Sequence, residues 1–422
     1  MIKETLKILN PWWKEEKISK ELAKPYKRHP FKELIKLLKY KQIIIITGLR
    51  RVGKTTLLYQ LVEFLLKKVS ARKIVYFNFD KTIEEITQIF EAYKNLTKVE
   101  WKKEKIYVLL DEVTKLKDWA SKIKLIYDAF PNIKFILCSS SSVALESEAI
   151  KALAGRYFML NINPLEFSEY LELKNKSKFL KQPELWEKEI REELKNYLTR
   201  TFPECVDWKE KARIKDFLRT TILDRIVRED LPEKFKNVNR ELLFKLIEIF
   251  YSNPGMILNY DSISRKLKIS KKTLVNHIYF MEFSYLIRRI RNFRPSMLAS
   301  SRKLQKVYAY WWTPLFCYTE NLDFIIENVI ASSFDARYYW RNGSKEIDFL
   351  IVKNKSLIPV EVKNKKDILS KDLENIKYFL KEYKAKYGLL IYQGQSKKLK
   401  INKKVLKIVP LWKALLFKDG LS

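Results

Sequence analysis

"QIIIITGLRRVGKTTLLYQLVEFLLKK", residues 42–68, places a β-branched run before a glycine-framed loop and apolar residues at helical spacing after it. Gly48, Leu49, Arg50, Arg51, Val52, Gly53, Lys54 and Thr55 fit the pattern GxxxxGK[ST] in full, and Thr56 carries the chain into the helix. The physics asks for this order. Glycines let backbone N–H groups turn inward around the β- and γ-phosphates, and the following helix adds its positive N-terminal end. Lys54 would reach the β- and γ-phosphate oxygens, and the Thr55 hydroxyl would ligate Mg²⁺. The stretch predicts an ATP-binding site at residues 48–56.

A second strand pattern, "KIVYFNFD", ends at Asp80, and a third, "KIYVLLDEV", ends on Asp111 and Glu112. Asp111 would hold the magnesium ion, directly or through water, while Glu112 would orient and deprotonate an attacking water. The plain alternative for such an acidic pair at a strand end is a helix N-cap. A fourth strand, "NIKFILCSSSS", runs into serines. Ser140 or Ser141 is the candidate sensor of the γ-phosphate, a simple serine-rich loop being the other reading. Strands alternating with helical patterns predict a parallel sheet wound with helices, its site at the carboxyl ends of the strands.

The remainder is strongly basic. The 422 residues carry 84 Lys plus Arg against 50 Asp plus Glu, a net charge of +34. A field of that sign draws in polyanions, nucleic acid before an anionic membrane face. The Lys-, Glu- and Ile-rich, Gly-poor composition also suits a heat-loving organism, although that would not require so large an imbalance. Length predicts two to four domains. Three scattered cysteines and two histidines exclude a histidine-based zinc site and point to reduced thiols in a cytoplasmic protein. The apolar runs fall short of the ~20 residues that span a bilayer, and the first residues do not resemble a signal peptide.

Residues 164–238 read as helical, a lid closed by the linker "REDLPEKFKNVN". Next, "YDSISRKLKISKKTLVNHIYFMEFSYLIRRIRNF" reads as helix, turn, helix and strand, the layout of a winged helix-turn-helix. Leu274, Ile278 and Met281 would be buried, while Lys271, Lys272, Asn276 and His277 face outward. From Lys271 to Lys306 there are nine Lys or Arg and one acid, Glu282. Lys271, Lys272, Asn276, Arg288 and Arg289 are therefore the candidate nucleic-acid contacts, DNA before RNA. A packing module between domains is the other reading.

Near the end, "EIDFLIVKNKSLIPVEVKNKK" reads as two strands and a turn. Period two puts Ile358, Val360 and Val362 on one face and Glu361 with Lys363 on the other. Asp348 and Glu361 could share Mg²⁺, with Glu327 adding a helix-borne carboxylate and Lys363 positioning water at a scissile phosphate. Otherwise these charges are the solvated face of a lysine-rich hairpin. Residues 351–422 carry 18 Lys and 6 acids, so a polyanion could lie there whether or not it is cut.

"GLRRVGKTTLL", "LLDEVTKLKDWASKIKLIYD", "LAGRYFMLNINPLEFSEYL" and "FPECVDW" together resemble the archaeal and bacterial AAA+ ATPases that carry an uncharacterised C-terminal domain. That resemblance implies a P-loop core coupled to nucleic-acid binding, or alternatively a regulatory switch, in a chain able to form homo-oligomers. It makes Arg156 a γ-phosphate or neighbour-subunit arginine, unless it is a salt-bridged surface arginine. Where the family has Thr-Gly-Ser, this chain has Cys138-Ser139-Ser140. The order Glu327, Asp348, Glu361-x-Lys363 is similar to the PD-(D/E)xK nuclease core. The expected organisation is an N-terminal arm over 1–32, an α/β P-loop core over 33–170, and a helical lid and linker over 171–238. A winged helix over 239–296 and an α/β restriction-endonuclease-like domain over 297–422 would complete it.

Overall fold

The computed structural model describes residues 2–80, 85–139, 142–294, 304–353, 356–401 and 403–421. The chain divides into two units, Met1–Pro164 with Phe202–Glu204, and Leu165–Thr201 with Cys205–Ser422. The segment expected as a lid over 171–238, Phe202–Glu204 excepted, thus belongs with the second unit.

In the first unit, β1 (Ile43–Thr47), β2 (Ile74–Asn78), β3 (Ile106–Asp111), β4 (Ile133–Cys138) and β5 (Tyr157–Asn161) form a parallel sheet in the order β2-β3-β4-β1-β5. Parallel strands need crossovers, and the helices Lys54–Leu66, Ile86–Thr97, Trp119–Ala129 and Ser142–Ala152 supply them. The four isoleucines of β1 are fully buried because helices cover both faces. This is the P-loop NTPase fold. Register aligns Thr47 with Asn161 and Asn78 with Asp111, so the carboxyl ends of the strands form one edge.

The arm before this core closes a sheet edge. β2 is an outer strand, and the buried Asn10 amide pairs with it like a short piece of strand. It receives Tyr76 N–H at 2.7 Å and donates to Tyr76 O at 2.9 Å. Trp12 and Trp13 both donate their indole N–H to Ile74 O. A covered edge cannot recruit another chain.

The second unit begins with the helices Phe167–Leu173, Glu187–Tyr197 and Lys211–Phe217, the last continuing into wide π-helical turns at Leu218–Leu223 and Ile226–Asp230. Three capped helices follow. Asn239, Asn259 and Ser270 each accept a backbone N–H from the first turn of Arg240–Ser252, Tyr260–Leu267 and Lys271–Phe283. Lys268, at φ 53°, makes the sharp turn between the last two.

The strands of this unit are β6 (Met256–Ile257), β7 (Ile287–Asn292), β8 (Gln305–Ala309), β9 (Tyr338–Asn342), β10 (Lys345–Lys353), β11 (Ser356–Val362), β12 (Tyr387–Tyr392), β13 (Lys397–Ile401) and β14 (Lys404–Pro410). As described, they make one sheet in the order β13-β14-β12-β11-β10-β9-β7-β8-β6. The expected division between residues 296 and 297 cuts through this arrangement. β8 pairs antiparallel with β7 and β6, while β7 pairs in parallel with β9, so the helical region and the C-terminal strands share one sheet.

Candidate functional site

At the carboxyl edge of the first sheet, the loop after β1 leads into helix Lys54–Leu66. Gly48 has φ +136°, and a Cβ there would lie 2.1 Å from Ile162 O, so only glycine fits between β1 and the end of β5. Gly53, at φ +93°, caps the helix. Leu49 and Val52 are buried anchors, Arg50 is half-buried, and Arg51 is exposed and pairs with Glu204 at 3.4 Å. Lys54 is buried, its ammonium donating to Gly48 O at 2.9 Å and Leu49 O at 2.8 Å. Thr56 follows in the first turn of the helix.

The acidic strand end meets this loop directly. Thr55 Oγ1 donates to Asp111 Oδ2 at 2.7 Å, so the two residues expected to hold magnesium stand together. Asp111 is buried and also receives the Tyr76 hydroxyl at 3.2 Å. Burial, followed by the Asp111 charge, pushes the Tyr76 phenol far above its ordinary range and keeps it a donor. Glu112 takes a left-handed conformation, φ 52°, and accepts from Ser139 Oγ at 3.2 Å. Ser139 is buried and shares a 2.7 Å hydrogen bond with Thr114. A buried ammonium, a hydroxyl, a buried carboxylate and a helix start form the donor set that a triphosphate with magnesium requires.

The candidate Ser140, like Ser141, lies outside the described residues; among the described ones, Ser139 reaches Glu112. Arg156 precedes β5, and its carbonyl accepts from Ile43 N–H at the start of β1. It is therefore at the opposite end of the strands from the phosphate loop. There its guanidinium grips Asp128 through two bonds, 2.8 and 3.1 Å. A γ-phosphate role within its own subunit is corrected to a surface ion pair.

Tyr76 and Ser139 escaped the sequence reading, as did Arg28. Arg28 is buried and donates to Val52 O in the loop (2.9 Å), to Asn163 O (2.8 Å) and to Pro164 O (3.3 Å). Nothing around "YKRHP" marks that role.

In the second unit, Lys271, Lys272 and Asn276 are exposed on helix Lys271–Phe283. His277 was expected beside them but is buried, its ring taking Asn239 N–H at 3.0 Å. Arg288 and Arg289 also turn inward. Arg288 binds Ala331 O, Tyr310 O and Asp335, while Arg289 binds Glu282, Tyr260 and Gln305. Both are corrected from contact residues to bonds within the unit.

The hairpin charges do not form a solvated face. Glu361 is 2% exposed, because neighbouring elements cover the side opposite Val360. Lys363 Nζ lies 3.0 Å from Glu361 and 4.0 Å from Asp348, and Asp348 Oδ2 accepts Val362 N–H at 2.8 Å. Glu327 accepts from Tyr308 at 2.6 Å and lies 3.9 Å from Lys306, which is also ion-paired with Glu346. Burial, then the charge of Asp348, raises Glu327 to about 7 and drives Glu361 well up. Against the pull of burial, Asp348 and Glu361 hold the Lys363 ammonium above its usual value. Glu361 Oε1 is buried without a hydrogen-bond partner. Even so, among the described residues no group of three or more His, Cys, Asp or Glu is disposed to hold a metal ion. Lys306 and Lys363 offset part of the charge of these carboxylates.

Fold and phosphate loop together define the first unit as a P-loop domain. Residues 40–171 match the family described as AAA domain, while 191–310 and 320–414 match two domains of unknown function, DUF8612 and DUF4143. Among curated relatives, the uncharacterized protein MJ1637 of Methanocaldococcus jannaschii is 30% identical over 63% of this chain and 60% of its own length. MJ1544 of the same organism is 25% identical over 90% and 89%. An uncharacterized Haemophilus influenzae protein is 28% identical over 56% of this chain and 57% of its own. This chain therefore spans less than two thirds of the first and third of these relatives. Among solved structures, the Walker-type ATPase PABY2304 of Pyrococcus abyssi has a TM-score of 0.41 and 17% identity, covering 69% of this chain and 95% of that one. The Aeropyrum pernix ORC2 protein gives 0.37 and 12%, covering 75% and 94%. Among the described residues, no helix is long and apolar enough to cross a membrane.

Proposed function

We propose that the chain is an ATPase that binds ATP with Mg²⁺ through residues 48–56 and couples hydrolysis to nucleic-acid binding by its second unit. The observation carrying this reading is the Thr55–Asp111 contact at 2.7 Å, which joins the phosphate loop to the acidic strand end. Thr55 and Asp111 would hold the magnesium ion, which would supply positive charge to offset that of the phosphates. Lys54 would leave the loop carbonyls for phosphate, since an anion offers its ammonium a stronger partner. Glu112, steadied by Ser139, would take the proton of the attacking water. Lys271, Lys272 and Asn276, exposed on a helix laid out like the second helix of a winged helix-turn-helix, would meet phosphates. The test is ATP turnover with and without DNA, alongside Lys54→Ala. DNA-stimulated turnover lost in the variant supports the reading; turnover indifferent to both sinks it.

A second reading adds cleavage by a PD-(D/E)xK-like site at Glu327, Asp348, Glu361 and Lys363. It is favoured by the orphaned Glu361 Oε1, an acceptor that a cation would satisfy. Without cleavage, the same cluster is a neutralised scaffold inside an ATP-gated switch. Mg²⁺-dependent nicking of branched or linear DNA, abolished in Asp348→Ala and Lys363→Ala, separates the two.

A further inference from the structure

β13 is the outer strand of the second unit's sheet and pairs with β14 alone. Their antiparallel register sets Lys398 directly opposite Lys407. Like charges so placed destabilise a strand pair. Burial, and then the charge of Lys398, draws the Lys407 ammonium below its ordinary value. Alternation puts Lys398, Lys400, Val405 and Lys407 on one face and Lys397, Leu399, Ile401, Lys404, Leu406 and Ile408 on the other. On the second face Ile401, Leu406 and Ile408 join the core. The first face looks outward. Lys398 and Lys400 are exposed, and Lys407 lies 4.1 Å from the centre of the Tyr387 ring.

The surrounding sequence sharpens this. From Tyr383 to Lys418 there are ten lysines and no acid. Lys404, Lys413 and Lys418 are engaged with Tyr383 O, Glu184 and Glu166. Lysine on an outer strand can serve simply to repel other strands. Here two face each other across the pair and a third stands about 7 Å along the strand. A row of cations suits a chain of phosphates better than a single small anion.

We propose that the outward face of the β13–β14 hairpin, formed by Lys398, Lys400, Lys407 and Tyr387, docks the phosphodiester backbone of a nucleic acid. This rests on the nucleic-acid reading above and adds a surface to it, remote in sequence from helix Lys271–Phe283. The experiment is a salt series of fluorescence anisotropy on the full chain with a labelled DNA duplex. K398Q/K407Q is compared with K39Q/K67Q, which loses the same charge on the first unit. The expected result for K398Q/K407Q is roughly tenfold weaker binding near 0.1 M salt and a salt slope smaller by about two. K39Q/K67Q should stay near wild type. The melting temperature of K398Q/K407Q should not fall, since a repulsive pair has gone. If wild type binds DNA and K398Q/K407Q keeps its affinity and slope, the docking face is wrong while the nucleic-acid reading stands. If wild type binds no DNA, both fall. If the two lysines govern binding to phosphatidylserine vesicles but not to DNA, the proposal is likewise overturned.

Discussion

The Thr55 hydroxyl donates to Asp111 Oδ2 across 2.7 Å, joining residues 56 positions apart. A strand end and a helix start meet there because β1 and β3 flank β4 in one parallel sheet, which brings their carboxyl ends to the same edge. Thr55→Ala removes a hydrogen bond to a charged group, worth about 1.5–3 kcal/mol. Mg²⁺-ATP turnover should drop roughly ten- to hundredfold. Thr55→Ser, which keeps the hydroxyl, should retain most of it. Equal turnover in Ala and Ser variants would remove Thr55 from the metal site.

Glu112 should separate binding from chemistry. Glu112→Gln keeps the size of the side chain but cannot accept a proton, so turnover should fall by about 10²–10⁴ while ATP affinity is kept. Ser139 acts through Glu112, as a positioning residue. Ser139→Ala should lower kcat with little change in KM, and Ser139→Thr should restore part of the loss. An altered KM with kcat intact would place Ser139 at the nucleotide instead.

The P-loop fold was legible because its signal is local: a β-branched strand, two glycines at fixed spacing and a helix start. Long-range pairing was not. Arg156 sits in a recognisable sequence, but a motif does not say at which end of a strand it will lie. That depends on Ile43 pairing with the carbonyl of Arg156 itself. Helical period gave the buried face of Lys271–Phe283 as Leu274, Ile278 and Met281, and missed that His277 is covered by Asn239. Arg288 looked like a free cation because its acceptors Ala331 and Tyr310 are remote in sequence. Arg289 instead pairs with Glu282, only seven residues before it, an acid the composition count named without pairing it. Lys306 reaches the carboxylates around Glu327 on β8, a strand whose pairing no pattern in "SRKLQKVYAY" announces.

Arg28 ties the phosphate loop to the residues that follow β5. Arg28→Ala would strand the carbonyls of Val52 and Asn163, each costing on the order of 1–3 kcal/mol if left unbonded. The first unit should melt several degrees lower, and ATP affinity should weaken because Val52 lies inside the loop. Arg28→Lys keeps the charge but can satisfy fewer acceptors at once, so it should recover stability in part. An unchanged ATP affinity in a folded Arg28→Ala protein would show that the tether does not shape the loop.

Lys134 gives the first unit a dependence on alkaline pH. It is buried in β4, and its ammonium donates to the carbonyls of Leu37, Tyr40 and Gln42. Burial, then the charge of Lys105, lowers it from 10.5 to about 8. The folded protein therefore gives up this proton near pH 8, while the unfolded chain keeps it until about 10.5. Between those values the unfolded state binds more protons, so stability rises with pH; below about 8 the cost of the buried charge is constant. The gap corresponds to at most about 3 kcal/mol, less whatever water screens at the ammonium. Falling net positive charge also favours the folded state in this window, so the comparison must be with Lys134→Met. That variant keeps the apolar stem and loses the titrating group. Its denaturation midpoint should climb less steeply than that of the wild type from pH 8 to 10.5, and parallel curves would show that Lys134 titrates alike in both states.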